Sequence, residues 1–240
     1  MPRIAIRLTT RACLLFALAG IGVARAEAPA YAIDPVHTRI LLAVDHAGFS
    51  SALGTISGST GTIHFTPGDW TDARVEVRIP LQRLDFGDEA WNRATLARNL
   101  LDAEGHPVAT FRSTRVEPLD EGRAIVHGLL ELRGVSREVA LEVQLNGARR
   151  HPMPPFRRTV GFSATATLAR SDFGITAWRS MIGDTVQLRI EAEATRTRAA
   201  AGDAGAADAL SPEDTVDDDA DADADADGGQ MPVPEPEPEP

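Results

Sequence analysis

The residues in this 240-residue chain that could do covalent or metal chemistry are few and poorly arranged for it. Six histidines are present: His37, His46, His64, His106, His127 and His151. His37, His46 and His64 are too far apart to be paired ligands on one strand or helix. His106 precedes a proline, and His151 sits in a Pro/Arg-rich stretch. A zinc site needs three or four convergent ligands, usually closely spaced, so no metal is expected. Ser57 and Ser59 flank Gly58 in a run from Gly54 to Gly61 that lacks the G-x-S-x-G spacing of a nucleophile elbow and reads as a continuing strand. No phosphate-binding glycine loop or nucleotide fingerprint occurs, and the acids are dispersed. The single cysteine, Cys13, lies in the leader, so the exported chain would carry no thiol for a disulfide, a metal or a nucleophile. No catalytic group and no cofactor are expected.

The two termini define what lies between them. Arg3, Arg7 and Arg11 precede an apolar run from Ala12 to Ala24, and Ala24-Arg25-Ala26 offers a cleavage site before Glu27. Those are the three zones of a secretory signal. The apolar run is shorter than the roughly 20 residues a spanning helix needs, so residues 1–26 read as a leader to the periplasm, with no stable membrane insertion after cleavage. From 199 to 240 the chain is Ala, Gly, Asp, Glu and Pro, with an Asp/Ala block and a Pro/Glu end. That composition cannot bury enough apolar surface to offset the entropy of ordering, so a disordered acidic tail is expected. Its Asp/Ala block lacks the Gly and the closing Glu of a calcium loop.

Charge divides along the same lines. Residues 1–26 hold four arginines, 27–198 hold 20 arginines against 21 acids, and 199–240 hold 14 acids and no base. The net charge of −11 therefore belongs to the tail. The domain, close to neutral as a whole, shows no basic stripe for nucleic acid.

Residues 27–198 read as one all-β domain. Segments 74–80, 139–145, 160–168 and 186–192 alternate apolar and polar residues, as in antiparallel strands with one buried face. Gly48, Gly54, Gly58, Gly61, Gly128, Gly134 and Gly161 are read as corners. Closure into a barrel would remove exposed edges. One helix is expected over Asp88–Leu101, capped by Asp88 and stopped by His106-Pro107. Its Ala90, Ala94, Ala97 and Leu101 share a face, with Trp91 beside it. It would either pack on the barrel or cover a cavity mouth. A barrel of about eight strands can hold one small ligand.

Tyr31-Ala-Ile-Asp-Pro-Val-His-Thr38, Asp45-His-Ala-Gly-Phe-Ser50, Gly61-Thr-Ile-His-Phe65, Pro107-Val-Ala-Thr-Phe-Arg-Ser113, Gly128-Leu-Leu-Glu-Leu-Arg-Gly-Val-Ser136 and Arg170-Ser-Asp-Phe-Gly174 occur in this order. Together they resemble the YceI-like polyisoprenoid-binding family over about 31–194. The resemblance implies a lipocalin-like antiparallel β-barrel around a long isoprenoid or acyl chain. The chain departs from that pattern on its helix, where Asn92–Asp102 lacks the family's R-D-x-H-L run, and in its hairpin, where Glu131 and Ser136 replace threonines.

The leading expectation is therefore a periplasmic, non-catalytic binder of an isoprenoid or fatty-acyl amphiphile, such as a polyisoprenoid quinone or a fatty-acid derivative. Expected pocket contacts are Phe49, Phe86, Trp91, Leu100, Phe111, Phe162, Phe173, Trp178 and Met181, with His46 or Arg179 meeting a polar head. A homodimer is left open. Two alternatives stand beside this reading. One is an enzyme acting on a lipid headgroup, with His46 or His127 as base. The other is a structural or stress-related interaction module whose adhesive part is the tail.

Overall fold

A computed structural model describes residues 27–197; the expected leader (1–26) and acidic tail (199–240) lie outside them. The strands are β1 (Ala30–Ile33), β2 (Arg39–His46), β3 (Ser50–Ile56), β4 (Thr60–Thr66), β5 (Asp69–Pro80), β6 (Leu84–Asp85), β7 (Val108–Pro118), β8 (Arg123–Leu132), β9 (Val135–Arg150), β10 (Arg158–Ala169) and β11 (Ile182–Arg196). Short 3₁₀ turns cover Leu81–Arg83 and Arg170–Phe173, and helix α1 spans Glu89–Leu96.

All pairings are antiparallel, in the order β1-β4-β5-β7-β8-β9-β10-β11, and β11 returns to β1 with Tyr31 opposite Arg196. β2 prolongs β1 along β11, with Ile40 opposite Ile190, while β3 runs beside β2. Taking β1–β2 and β3–β4 each as one bent strand gives a closed barrel of eight strands. The bend after β1 is fixed by Asp34. Its carboxylate accepts the Val36 and His37 amides at 2.8 and 3.2 Å, and His37 Nδ1 lies 2.8 Å away. Burial alone would raise this carboxyl's pKa, but the bonds from His37 and the two amides outweigh it and hold the pKa below its ordinary value.

Alternation decides what faces inward. Ile40 and Leu42 on β2, Leu188 and Ile190 on β11, and Val139, Leu141 and Val143 on β9 line the interior, while Arg39, Leu41, Gln187, Arg189 and Glu142 stand outside. One end is filled by rings. Phe65 packs on Trp70 at 4.8 Å and edge-on against Phe162 at 5.3 Å, beside buried Tyr31 and Val160. The Trp70 indole N–H is satisfied by the Glu121 carbonyl at 3.2 Å. Among the described residues no comparable ring cluster fills the opposite end.

Three sequence expectations change. Gly54, Gly61, Gly128 and Gly161 lie within strands, whereas Gly48, Gly58 and Gly134 occupy positive-φ turns. The run from Gly54 to Gly61 is not one strand: pairing stops after Ile56 and resumes at Thr60, where the chain bends from β3 into β4. Helix α1 ends at Leu96 rather than Leu101. Ala97 is extended, and a turn closed by Leu100 N–H to Ala97 C=O (3.0 Å) and Ala103 N–H to Leu96 C=O (3.0 Å) tucks Leu100 and Leu101 into the core. No residue of α1 itself is buried, so its alanine face is not a packing face.

Gly128 is glycine because of close approach. A Cβ there would lie 2.5 Å from Phe111 Cζ and 2.6 Å from the Arg112 carbonyl oxygen. Gly128→Ala is expected to lower stability by about 1–3 kcal/mol, the usual cost of overpacking, read as a lower urea midpoint at unchanged m-value.

Candidate functional site: a cavity open at one end of the barrel

The barrel encloses a cavity of about 720 Å³. Its wall is mainly aliphatic side chains from the inward positions of β2, β5, β8, β9, β10 and β11, with Phe111, Phe162 and Phe173 among them. Polar groups on the wall are scarce and mostly engaged. Thr38 Oγ1 bridges to the Glu193 backbone at 3.3 and 3.4 Å. Ser59 Oγ is buried without a hydrogen-bond partner among the described residues. Such a lining holds apolar matter by excluding water, and offers few groups that could activate a bond.

The mouth lies where β2 ends and β11 begins. His46 stacks obliquely on Trp91 of α1 at 5.2 Å, and Trp91 meets Phe86 edge-on at 6.2 Å. Phe86 lies directly over Gly54, where a Cβ would come within 2.9 Å of its ring. Asp88 caps α1 by accepting the Trp91 amide at 2.9 Å, which fixes the first turn beside the opening. Trp91 (43% exposed), Trp178 (61%) and Met181 (44%) all line the cavity rim. Trp178 is held at φ 60°, a region bulky residues rarely occupy, and its carbonyl accepts the Met181 and Ile182 amides at 2.8 Å each.

Nine of the eleven expected contacts therefore converge on one cavity: His46, Phe86, Trp91, Leu100, Phe111, Phe162, Phe173, Trp178 and Met181. Two do not. Phe49 is 91% exposed at the tip of the β2–β3 hairpin, and Arg179 points to solvent next to Trp178. Of the two histidines considered as bases, His46 is on the rim. His127 faces away from the cavity, 3.5 Å from Glu117 on the outer wall. Among the described residues no group of three His, Cys, Asp or Glu side chains could hold a metal ion.

A model of the YceI-like domain matches residues 31–194. The chain belongs to the YceI-like family. A UPF0312 protein of Ectopseudomonas mendocina is 30% identical over 184 residues, covering 76% of this chain and 95% of that one. Among solved structures, Burkholderia cenocepacia BcnA superposes with a TM-score of 0.60 at 23% identity, over 68% of this chain and 99% of that one. A polyisoprenoid binding domain from Saccharophagus degradans, implicated in plant cell wall breakdown, gives 0.50 at 17% identity over 70% and 99%. At these identities the superpositions speak to fold.

Within this YceI-like barrel the Arg170–Gly174 segment acts as a clamp. Arg170, 6% exposed, donates to the carbonyls of Ile175, Ala177, Ile182 and Gly183 at 2.8–2.9 Å. Four carbonyls, rather than a carboxylate in contact, thus surround the guanidinium, and desolvation lowers its pKa without discharging it. Asp184 accepts the Ser171 amide and hydroxyl at 3.0 and 2.8 Å, and these bonds hold its carboxyl below the ordinary range. Arg133, at φ 53° in a tight turn with Gly134, donates to Gly174 C=O and Arg98 C=O at 3.1 Å each, joining this loop to the turn after α1. The sequence signal for this clamp is the Arg170-Ser-Asp-Phe-Gly174 segment, just past the strand expected over 160–168, whereas residue type alone points to the aromatics.

Arg170→Leu would leave four carbonyls without their donor. A loss on the order of 3 kcal/mol is expected, with amide exchange rising first over 174–183. Uniform exchange throughout the barrel would refute the clamp.

Proposed function

We propose that this barrel binds a single amphiphile with a long isoprenoid or fatty-acyl chain, without transforming it, in the periplasm. The cavity carries this reading. Its volume of about 720 Å³ and its mainly aliphatic wall suit a hydrocarbon chain, and its opening at one end gives such a chain a way in. Water would find few hydrogen-bond partners on this wall. A hydrocarbon chain loses nothing there and gains about 25 cal/mol per Å² removed from water.

The polar head of the ligand would stay at the rim, near His46, Trp91 and Trp178. Family membership supports the same direction, as does the likeness to the polyisoprenoid binding domain of Saccharophagus degradans. Export rests on the leader pattern in residues 1–26. His46 lacks a carboxylate or hydroxyl partner among the described residues, so nothing at the rim orients it as a general base.

Native mass spectrometry of protein purified from the periplasm should show one co-purifying lipid-sized mass, identified after organic extraction. Ala164→Phe, which pushes a ring into free space midway along the barrel, should abolish that mass. It should also leave the melting temperature within a few degrees, because there is room for the ring. Repeated lipid-free preparations, or unchanged binding in A164F, would sink the reading.

A further inference from the structure

The end of the barrel away from the mouth carries a different device. β9 runs past β8, which follows it only to Gln144, while β11 follows β10 from Thr159 on, so that beyond this point only β9 and Arg158 face each other. The hairpin beyond is closed by the His151 amide on Arg157 C=O at 2.8 Å and the Phe156 amide on Met153 C=O at 2.9 Å. Its tip, Met153-Pro-Pro-Phe156, exposes Met153 (65%) and Phe156 (51%). Around that tip stand Arg149, Arg150, Arg157 and Arg158, all exposed.

Three observations make this more than a basic loop. No acid occurs between Glu142 and Asp172 in sequence. None of the four guanidiniums contacts a carboxylate among the described residues; Arg150 reaches only the Phe156 carbonyl, at 3.4 Å. Arg150 and Arg158 are direct cross-strand partners, a like-charge pairing that destabilises a hairpin. The fold gains nothing from that arrangement. The rim of the mouth also exposes large side chains, but there Arg98 and Arg179 are interspersed with Asp45, Asp88 and Asp172.

We propose that the β9–β10 hairpin docks the protein on an anionic phospholipid surface, with Phe156 and Met153 entering the headgroup boundary and the four arginines meeting lipid phosphates. An exposed apolar tip inside a cationic collar matches the two-part nature of that interface. Guanidinium groups pair with phosphate bidentately, which favours arginine over lysine here. Docked this way, the barrel stands with its mouth directed away from the bilayer. The proposal does not depend on what fills the cavity.

The test is flotation of the full chain with phosphatidylcholine vesicles, with and without about one third phosphatidylglycerol. Binding is expected only to the anionic vesicles, falling as NaCl rises through the range where screening takes hold. Replacing all four arginines by glutamine should weaken binding on the order of a thousandfold, with the melting temperature unchanged or raised because Arg150 no longer faces Arg158. Phe156→Ser should weaken it severalfold while leaving its salt dependence intact. Lack of binding to anionic vesicles at low salt would overturn the proposal. So would binding that survives the four substitutions. Equal retention on a DNA duplex with no effect of Phe156→Ser would also overturn it, by marking a general polyanion site.

Discussion

Closure of the sheet is the constraint on which the rest of this molecule depends. Once β11 pairs with β1 at one end and β2 at the other, no strand edge is left along that seam. Every second residue must then face a volume whose size is set by strand number rather than by the side chains available to fill it. Here the side chains fall short. Inward positions are mostly Ile, Leu, Val and Ala, and Gly128 adds no side chain at all. Only around Phe65, Trp70 and Phe162 do rings suffice to pack the interior solid. The cavity is the remainder, and its position follows from where the aromatic residues were spent.

That remainder needs a rim, which is built from non-strand elements held by polar bonds. Arg170 collects four carbonyls that could not otherwise be buried. Asp184 ties down Ser171, and Arg133 links the 174–183 loop to the turn after α1. The result is a mouth whose two sides, Trp91 on the helix and Trp178 on the loop, are each fixed at their base and exposed at their tip. α1 buries none of its own residues, so this side of the mouth is held by its cap and the turn that follows rather than by packing of the helix.

Much of this was legible from residue order. Alternation placed β5, β9, β10 and β11 correctly because each has one face in water. Of the nine expected contacts that line the cavity, only His46, Phe111 and Phe162 stand on strands; Phe86, Trp91, Leu100, Phe173, Trp178 and Met181 reach it from the helix, turns and loop around the mouth. Phe49 does not reach it: it follows the Ala47–Gly48 turn, so it sits at a hairpin tip where no second layer covers it. The aliphatic majority of the wall, such as Leu42, Leu188 and Ile190, went unnamed for the opposite reason. Alternation shows their strands, but aliphatic side chains at inward positions are too uniform to mark any one of them as a contact. Helix propensity extends α1 to Leu101, but the burial of Leu100 and Leu101 in the core ends it at Leu96.

Charge shows the same loss of information on averaging. The domain is nearly neutral over 27–198, and that sum conceals four arginines gathered at the tip of one hairpin within an acid-free stretch. A register that sets Arg150 against Arg158 can only be seen once β9 and β10 are paired. Residues that oppose the local stability of a hairpin, on a segment that closes no core, are best explained by what they meet outside the fold. The barrel thus has two unlike ends: one an apolar rim with mixed charges around an opening, the other a cationic tip over a closed aromatic floor.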